Sequence, residues 1–223
     1  MAPSKIPIFD TSSSSVATKR SYSLDYLKEC LQILEAIDAS VLDSMAFRLA
    51  EIRDEGGRLF VLGIGGSAGN ASHAVSDFRK NCAFEAYAPT DNICELTART
   101  NDDGWETVFS EWLRVSRLSS KDAVLVFSVG GGSTQKNISP NLVKALELAR
   151  QVGAKIFGIV GRDGGFTKQV ADFCLIVPPF VSERVTVHTE GLCSVLWHLL
   201  VSHPQLQKNC TKWESIEPIG TLQ

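Results

Sequence analysis

Short apolar runs that end in turns and alternate with helical segments constrain the fold of this chain more than any other feature. Five such runs are predicted strands: residues 58–64, 93–97, 123–129, 155–161 and 173–178. Longer helices are predicted between or after them, over residues 67–81, 102–117, 140–152 and 188–203. Strands joined through helices run parallel, in a sheet that helices cover on both faces. The pattern predicts an α/β fold in which ligands bind beyond the carboxyl ends of the strands.

The region before the first strand is predicted to be helical. Apolar residues recur at three- and four-residue steps from Ser23 to Glu55, as in one long amphipathic helix or two shorter ones. Residues 1–20 are rich in serine and are expected to be loosely ordered. Because the sequence contains no internal repeat or interdomain linker, residues 21–223 are predicted to form a single domain with an N-terminal helical extension.

Composition excludes several classes of function. The 223 residues carry a formal net charge of -3, which gives no electrostatic reason to bind nucleic acid or an anionic membrane. There is no membrane-spanning apolar run and no apolar signal segment at the N-terminus, so a cytoplasmic protein is expected. None of the six cysteines forms a CxxC pair, which argues against a cysteine zinc site. Cys94 and Cys174 lie in apolar, strand-like runs and are expected to be buried thiols that form no disulfide.

Two glycine-rich turns follow predicted strands. In GIGGS (63–67) the glycines permit close approach to a ligand, and the free amides of the helix that follows favour an anion, to which Ser67 adds a hydroxyl. The spacing fits neither a dinucleotide-binding turn nor a Walker A loop, and a simple tight turn is an equal alternative. SVGGGST (128–134) repeats the arrangement with Ser128 and Ser133, and two such loops at one sheet edge indicate a phosphate monoester site. Neither loop carries an obvious cation, so dipoles and hydrogen bonds would meet the charge.

Two helices carry candidate catalytic side chains. On 67–81, His73 and Asp77 are four residues apart and therefore neighbours, which suits a metal ion or an acid/base pair but also an incidental surface pair. On 188–203, Glu190 and His198 share one face two turns apart. His198 lies within the apolar run VLWHLLV, where an imidazole needs a hydrogen-bond partner or a ligand. The predicted core stripe of this helix is Leu192, Val195, Leu196 and Leu199, with Trp197 on the other face.

In this order the motifs resemble the sugar isomerase (SIS) fold, and within it the phosphoheptose isomerases. The resemblance covers the chain to about His203, through GIGGSAGNASHAVSDF, TARTNDDGWETVF, FSVGGGS and GRDGG. It implies a three-layer sandwich and the conversion of sedoheptulose 7-phosphate to glycero-manno-heptose 7-phosphate, a step in nucleotide-activated heptose synthesis. It also implies a homotetramer whose subunits share active sites, and a bound Zn²⁺.

The resemblance assigns roles to individual residues. Asp77 and His198 are the implied catalytic pair, with the order of their proton transfers left open. The implied substrate-binding residues are Ser67, Asn70, Asp102, Ser128, Gly130, Ser133 and Glu190. The implied metal ligands are His73, Asp77, Glu190 and His198.

The sequence departs from the family pattern at three places. Asp77 replaces a glutamate and is one methylene shorter, and Glu190 replaces a neutral glutamine. In the second loop Val129, Gly130 and Gly132 stand where the family more often has Thr, Ser and Asn, and QKNISP is an insertion. An isomerase acting on a different ketose phosphate, or a non-catalytic SIS module that binds sugar phosphates or serves in assembly, therefore remains an alternative.

Overall fold

The computed structural model describes residues 21–212 and residue 215, so the expectation for residues 1–20 lies outside the described residues. Eight α-helices and five strands are found in this part of the chain. The helices are α1 (Tyr22–Glu35), α2 (Ala39–Asp54), α3 (Gly66–Cys82), α4 (Ile93–Asp102), α5 (Val108–Val115), α6 (Pro140–Val152), α7 (Gly165–Val170) and α8 (Val185–Ser202). The strands are β1 (Leu59–Leu62), β2 (Ala86–Tyr87), β3 (Ala123–Ser128), β4 (Lys155–Val160) and β5 (Phe173–Ile176).

The strands form one parallel sheet in the order β2-β1-β3-β4-β5. Side chains alternate between its faces, as in β3, where Leu125 and Phe127 join one apolar cluster and Val124 and Val126 join the other. Helices α2, α3 and α8 bury their apolar faces in the first cluster, and α5 and α6 in the second. The predicted three-layer α/β fold with a five-stranded parallel sheet is confirmed. All five strands end at one edge, where the two glycine turns therefore meet.

The N-terminal helical region is two helices. A short connection separates α1 from α2, and the side chain of Asp38 caps α2 by accepting a hydrogen bond from the Ser40 amide at 3.0 Å. Ile33 is the buried residue of α1 that joins the core, so most of this helix lies on the outside of the chain.

The predicted strand over residues 93–97 is wrong. These residues begin α4, because the side chain of Asn92 caps a helix by accepting from the Glu95 amide, and Glu95 then pairs with Arg99 one turn later. The second strand is instead the two-residue β2, too short to produce a periodic signal. The predicted helix over 102–117 is likewise divided, since Asp103 and Gly104 end α4 before α5 begins. Cys94, on α4, is exposed rather than buried, and Cys174 is only partly buried.

The predicted core stripe of the last helix is also partly wrong. Val195 and Leu199 are 50% and 39% exposed, whereas Trp197 is fully buried. The buried apolar residues in the second half of α8 are Leu192, Cys193, Leu196, Trp197, Leu200 and Val201. Because six of the seven residues over 195–201 are apolar, the sequence pattern there defines the buried face weakly. Within residues 21–212, no helix combines the length and apolar character that a membrane crossing requires.

Candidate active site

The first glycine turn connects β1 to α3. Gly65 has φ 62° and ψ -127°, a conformation that side chains disfavour, and it offers α3 no side-chain cap. A Cβ at Gly63 would lie 2.2 Å from the backbone oxygen of Ser67, so the turn closes only with glycine there. Ser67 is 5% exposed in the first turn of the helix. The amides of this first turn have no side-chain cap and can donate to an acceptor.

The side chain of Glu190 already lies at this turn. A Cβ on Gly66 would meet its Oε2 at 2.6 Å and its Oε1 at 2.8 Å, so a side chain there would displace this carboxylate from its present position. Its negative charge is favoured by the positive end of α3. Glu190 is thus placed at the proposed anion turn, about 12 Å along α8 from His198.

Asn70 joins α3 to α8. Its Nδ2 donates to the backbone oxygen of Glu190 at 3.1 Å, and its Oδ1 accepts from the indole Nε1 of Trp197 at 3.0 Å. These two bonds hold the helices side by side in the same direction. The amide predicted to bind substrate is therefore largely used to position Glu190 and the face that carries His198.

Three candidate residues meet on the paired helices. Asp77 Oδ2 lies 3.8 Å from Nε2 of His73 and 3.8 Å from Nε2 of His198. The two imidazole rings are 5.2 Å apart, and both pack against the buried Trp197. The four-residue spacing on α3 therefore makes His73 and Asp77 neighbours, as predicted. From α8, the imidazole of His198 approaches the same Asp77 carboxylate.

The hydrogen bond of His198 determines what its inner nitrogen can do. Nδ1 lies 2.7 Å from the backbone oxygen of Ser194, which can only accept, so Nδ1 carries a proton. In the neutral ring Nε2 then presents a lone pair toward the carboxylate of Asp77. Two acceptors that face each other require a proton or a cation between them. This arrangement suits both proton exchange and metal binding.

The donor set fits a divalent metal such as zinc. Ligand atoms of His73, Asp77 and His198 all lie within 4.8 Å of one another. Atoms around a tetrahedral zinc ion are about 3.3 Å apart, close to the 3.8 Å separations here. Three protein ligands also leave the open position that a catalytic ion needs. Glu190, predicted as a fourth ligand, lies outside this group.

The second glycine turn is rigidly held. Ser128 Oγ accepts from the Gly131 amide at 2.9 Å, and the buried Thr167 of α7 donates its hydroxyl to the Gly131 oxygen at 2.8 Å. Ser133 pairs with Ile138 in a short antiparallel bridge that closes the inserted segment. Gly130 and Ser133 line an open cavity of about 710 Å³ between this loop, the turn after β4 and the start of α8.

Arg162 and Lys136 supply the cations that sequence reasoning did not find in these loops. Both line the same cavity, and the Cδ of Arg162 would be 3.9 Å from a Cβ on Gly130. Arg162 has φ 52°, which turns the chain after β4 so that its side chain lies over the loop after β3. The sequence GRDGG, which follows β4, could have pointed to Arg162. That inference requires knowing that β3 and β4 are neighbours, so that the turns after them lie together at one edge of the sheet.

Asp102 lies apart from the other predicted site residues. It is exposed at the end of α4, and its Oδ1 accepts from Nδ2 of Asn101 at 2.7 Å. Within the described residues of this single chain, Asp102 does not join the group formed by His73, Asp77 and His198.

Comparisons with known proteins agree with this architecture. The SIS domain family model matches residues 25–161. The chain is 34% identical to the phosphoheptose isomerase of Trichlorobacter lovleyi over 189 residues, which cover 81% of this chain and 91% of that protein. It is also 34% identical to the phosphoheptose isomerase of Helicobacter pylori, over 71% of this chain and 80% of that one.

A solved structure extends the likeness to three dimensions. The phosphoheptose isomerase of Neisseria gonorrhoeae superposes with a TM-score of 0.71 at 24% identity, over 80% of this chain and 95% of that one. This likeness shows the same fold, while the sequence relatives show the family. The chain is a SIS-domain protein and belongs to the phosphoheptose isomerase family.

Proposed function

We propose that this protein is an aldose–ketose isomerase that converts sedoheptulose 7-phosphate to glycero-manno-heptose 7-phosphate. The proposal takes its substrate from the family and its chemistry from the site. The observation that carries it is the position of the Asp77 carboxylate, 3.8 Å from the Nε2 atoms of His73 and His198.

Asp77 and His198 share the proton transfers. Isomerisation moves a proton between C1 and C2 through an enediol, which requires one group to remove it and another to exchange a proton with the substrate oxygens. Without a metal, the lone pair on His198 Nε2 and the carboxylate of Asp77 can both accept and return protons. A zinc ion would occupy that lone pair, which leaves the uncoordinated carboxylate oxygen of Asp77 as the base and makes His198 a ligand. The Ser194 oxygen keeps the His198 ring in the required tautomer.

His73, Asp77 and His198 would hold a zinc ion. When bound, the ion supplies a Lewis acid that stabilises charge on the carbonyl and enediol oxygens. The side chains of His73 and His198 are 59% and 46% exposed, so their nitrogens are accessible to an ion from solvent. We exclude Glu190 from the ligand set and assign it to the α3 turn, where it limits binding of a second anion.

The second loop would bind the substrate phosphate. Gly130 and Ser133 line the cavity and provide amide and hydroxyl groups, and Arg162 provides charge. Ser128 shapes the loop by accepting from the Gly131 amide, and its contact with phosphate stays a prediction. This loop has fewer hydroxyl side chains than the family pattern. The guanidinium of Arg162 can compensate for them, because it forms strong charge-assisted hydrogen bonds with phosphate oxygens. With Glu190 at the first turn, we assign the phosphate to the second loop and leave Ser67 as a secondary contact.

Geometry within one chain favours an active site shared between subunits. Val185 lines the phosphate cavity, and His198 lies thirteen residues further along α8, about 20 Å away. An extended seven-carbon sugar phosphate spans only about 10 Å. A substrate held in the cavity therefore needs the catalytic residues of a neighbouring subunit, as in the homotetramer that we propose.

The outer face of α1 offers a surface for this assembly. Leu24, Leu27 and Leu31 are 52%, 60% and 60% exposed, and Leu34 continues their stripe. Val195 and Leu199 add exposed apolar area on α8 beside His198. Burying these side chains against neighbouring copies would gain the hydrophobic free energy that one chain leaves unused, and would exclude water from the histidines.

We also propose that the enzyme acts in the cytoplasm. Its six cysteines are all free thiols, a state that reducing compartments maintain.

A substrate panel tests the function. Purified protein loaded with zinc is assayed with sedoheptulose 7-phosphate and with shorter ketose phosphates, and the aldose product is quantified. We expect the highest kcat/KM for the seven-carbon substrate. Faster turnover of a shorter substrate would assign a different ketose phosphate, which the substitutions at Asp77 and in the second loop permit. No turnover, with sugar phosphates still raising Tm, would identify a binding module.

A further inference from the structure

A second cluster of reactive side chains lies where α1 packs against the start of α8. Tyr26, Glu29 and Cys30 come from α1, and Arg184 and His188 come from the start of α8. His188 is only 2% exposed. The proposed isomerisation uses none of these groups.

The buried imidazole connects a thiol to a carboxylate. His188 Nε2 lies 2.8 Å from Oε2 of Glu29, and Nδ1 lies 3.5 Å from Sγ of Cys30. Because an ionised carboxylate can only accept, Nε2 carries the proton in the neutral ring and Nδ1 presents its lone pair to the thiol. The nitrogen is therefore in position to accept the proton of Cys30.

Two further groups hold this arrangement in place. Arg184 binds both carboxylate oxygens of Glu29, with Nε 2.8 Å from Oε2. The ring of Tyr26 stacks on the imidazole at a centroid distance of 4.5 Å. The hydrogen bonds from Arg184 and His188 lower the pKa of Glu29 from about 4.5 to about 2, so the carboxylate stays ionised at neutral pH. A nucleophile, a base and an orienting acid in series are the features of an activated thiol.

We propose that Cys30 is a nucleophilic thiol that small peroxides oxidise, with His188 as its proton acceptor and Glu29 as a positioning residue. The sulfur attacks one peroxide oxygen, so that an S–O bond forms as the O–O bond breaks. His188 takes the thiol proton and gives it to the leaving oxygen. The sulfur is oxidised by two electrons to a sulfenic acid, and hydrogen peroxide is reduced to water.

The other cysteines provide internal controls. Cys94 and Cys210 are exposed, whereas Cys30 is only partly exposed. Burial raises the pKa of Cys82 to about 12 and makes it inert, and it raises the pKa of Cys193 as well. Accessibility alone therefore predicts that Cys94 and Cys210 react first. Activation by His188 predicts that Cys30 reacts first.

Peptide mass spectrometry distinguishes these outcomes. The full chain is treated at pH 7 with equimolar hydrogen peroxide and a dimedone trap, and sulfenic acid is quantified at each cysteine. We expect at least about tenfold more label on Cys30 than on Cys94, because ordinary thiols are only a few per cent ionised at this pH. Equal or lower labelling of Cys30 would overturn the proposal.

Variants separate activation from exposure. His188→Gln removes the proton acceptor and should reduce labelling of Cys30 to the level of Cys94 or below. Loosening of α1 by this substitution would expose the thiol and raise its labelling, so a decrease cannot come from local unfolding. Glu29→Gln should give an intermediate decrease, and unchanged labelling in His188→Gln would overturn the proposal. No sugar phosphate is present, so the result does not depend on the isomerase activity.

Discussion

Asp77 Oδ2 lies 3.8 Å from His198 Nε2, although these residues are separated by 121 positions in the chain. The contact exists because α3 and α8 pack in the same direction, with Asn70 bonded to both Glu190 and Trp197. The catalytic proposal depends on this pair, and His73 completes it from the preceding turn of α3.

Asp77→Asn tests the carboxylate directly. An amide cannot accept and return a proton, so kcat should fall at least about 100-fold while Tm changes little. Steady-state kinetics and a thermal melt measure both. Asp103→Asn is the matched control on an exposed helix end and should keep wild-type kcat. Full activity in Asp77→Asn would remove this residue from catalysis.

Arg162→Gln tests the assignment of the phosphate. Losing a guanidinium that contacts phosphate should raise KM about 10- to 100-fold with a smaller change in kcat, since such bonds contribute about 1.5–3 kcal/mol. Arg162→Lys should restore part of the affinity. Inorganic phosphate should raise the Tm of the wild type more than that of Arg162→Gln. An equal rise in both proteins would place the phosphate elsewhere.

Leu27→Glu combined with Leu31→Glu tests the assembly surface. Two charges in the exposed stripe of α1 should prevent its burial between copies, because an unpaired charge is costly in an apolar interface. Light scattering after size exclusion should show a tetramer for the wild type and smaller species for the variant. Glu35→Gln, an exposed change on the same helix, should leave the mass unaltered. A wild-type monomer would contradict the shared active site.

The ion pairs of Glu29 predict a pH dependence in the stability of α1. Its pKa is lowered in the folded protein, so the folded state binds this proton less readily than the unfolded chain. Its stabilising contribution should be complete above about pH 4.5 and lost as pH falls toward about 2. Urea unfolding should therefore show Glu29→Gln less stable than wild type at pH 7, with the difference shrinking at pH 3. A constant difference would refute this linkage.

Two glycines of the first turn should respond differently to alanine. A Cβ at Gly63 meets fixed backbone at Ser67, whereas one at Gly66 meets the movable end of Glu190. We expect Gly63→Ala to cost about 2–4 kcal/mol in urea unfolding and Gly66→Ala less than about 1 kcal/mol. A similar loss of unfolding free energy in both variants would contradict this expectation, because it would show that the Glu190 side chain cannot move away from the added methyl group.

Secondary structure could be predicted from the sequence where a short local pattern determines it. The bounds of α6 match the predicted 140–152, because Pro140 suits a first helical turn and Gly153 ends the helix in the left-handed conformation. The strand predicted over residues 93–97 was wrong. Five residues are too few to distinguish the period of a strand from that of a helix, and the preceding Asn92 caps a helix. The single domain over 21–223 and the individual site roles stay predictions.

The site depended more on tertiary placement. The His73–Asp77 spacing is a local property of a helix, and the structure brings His198 to it. Contact between Glu190 and Gly66, and the approach of Arg162 to Gly130, both arise from packing between segments distant in sequence. Spacing along one helix cannot reveal such contacts, which is why Glu190 was grouped with the metal ligands and Arg162 was missed.

Turnover of sedoheptulose 7-phosphate, with zinc supplied or chelated, tests the central claim most directly. We predict formation of the aldose product by the zinc-supplied wild type, a large loss on chelation, and at least about a 100-fold lower kcat in His198→Ala. Wild-type turnover in His198→Ala, or no aldose product from the zinc-supplied wild type, would contradict the account.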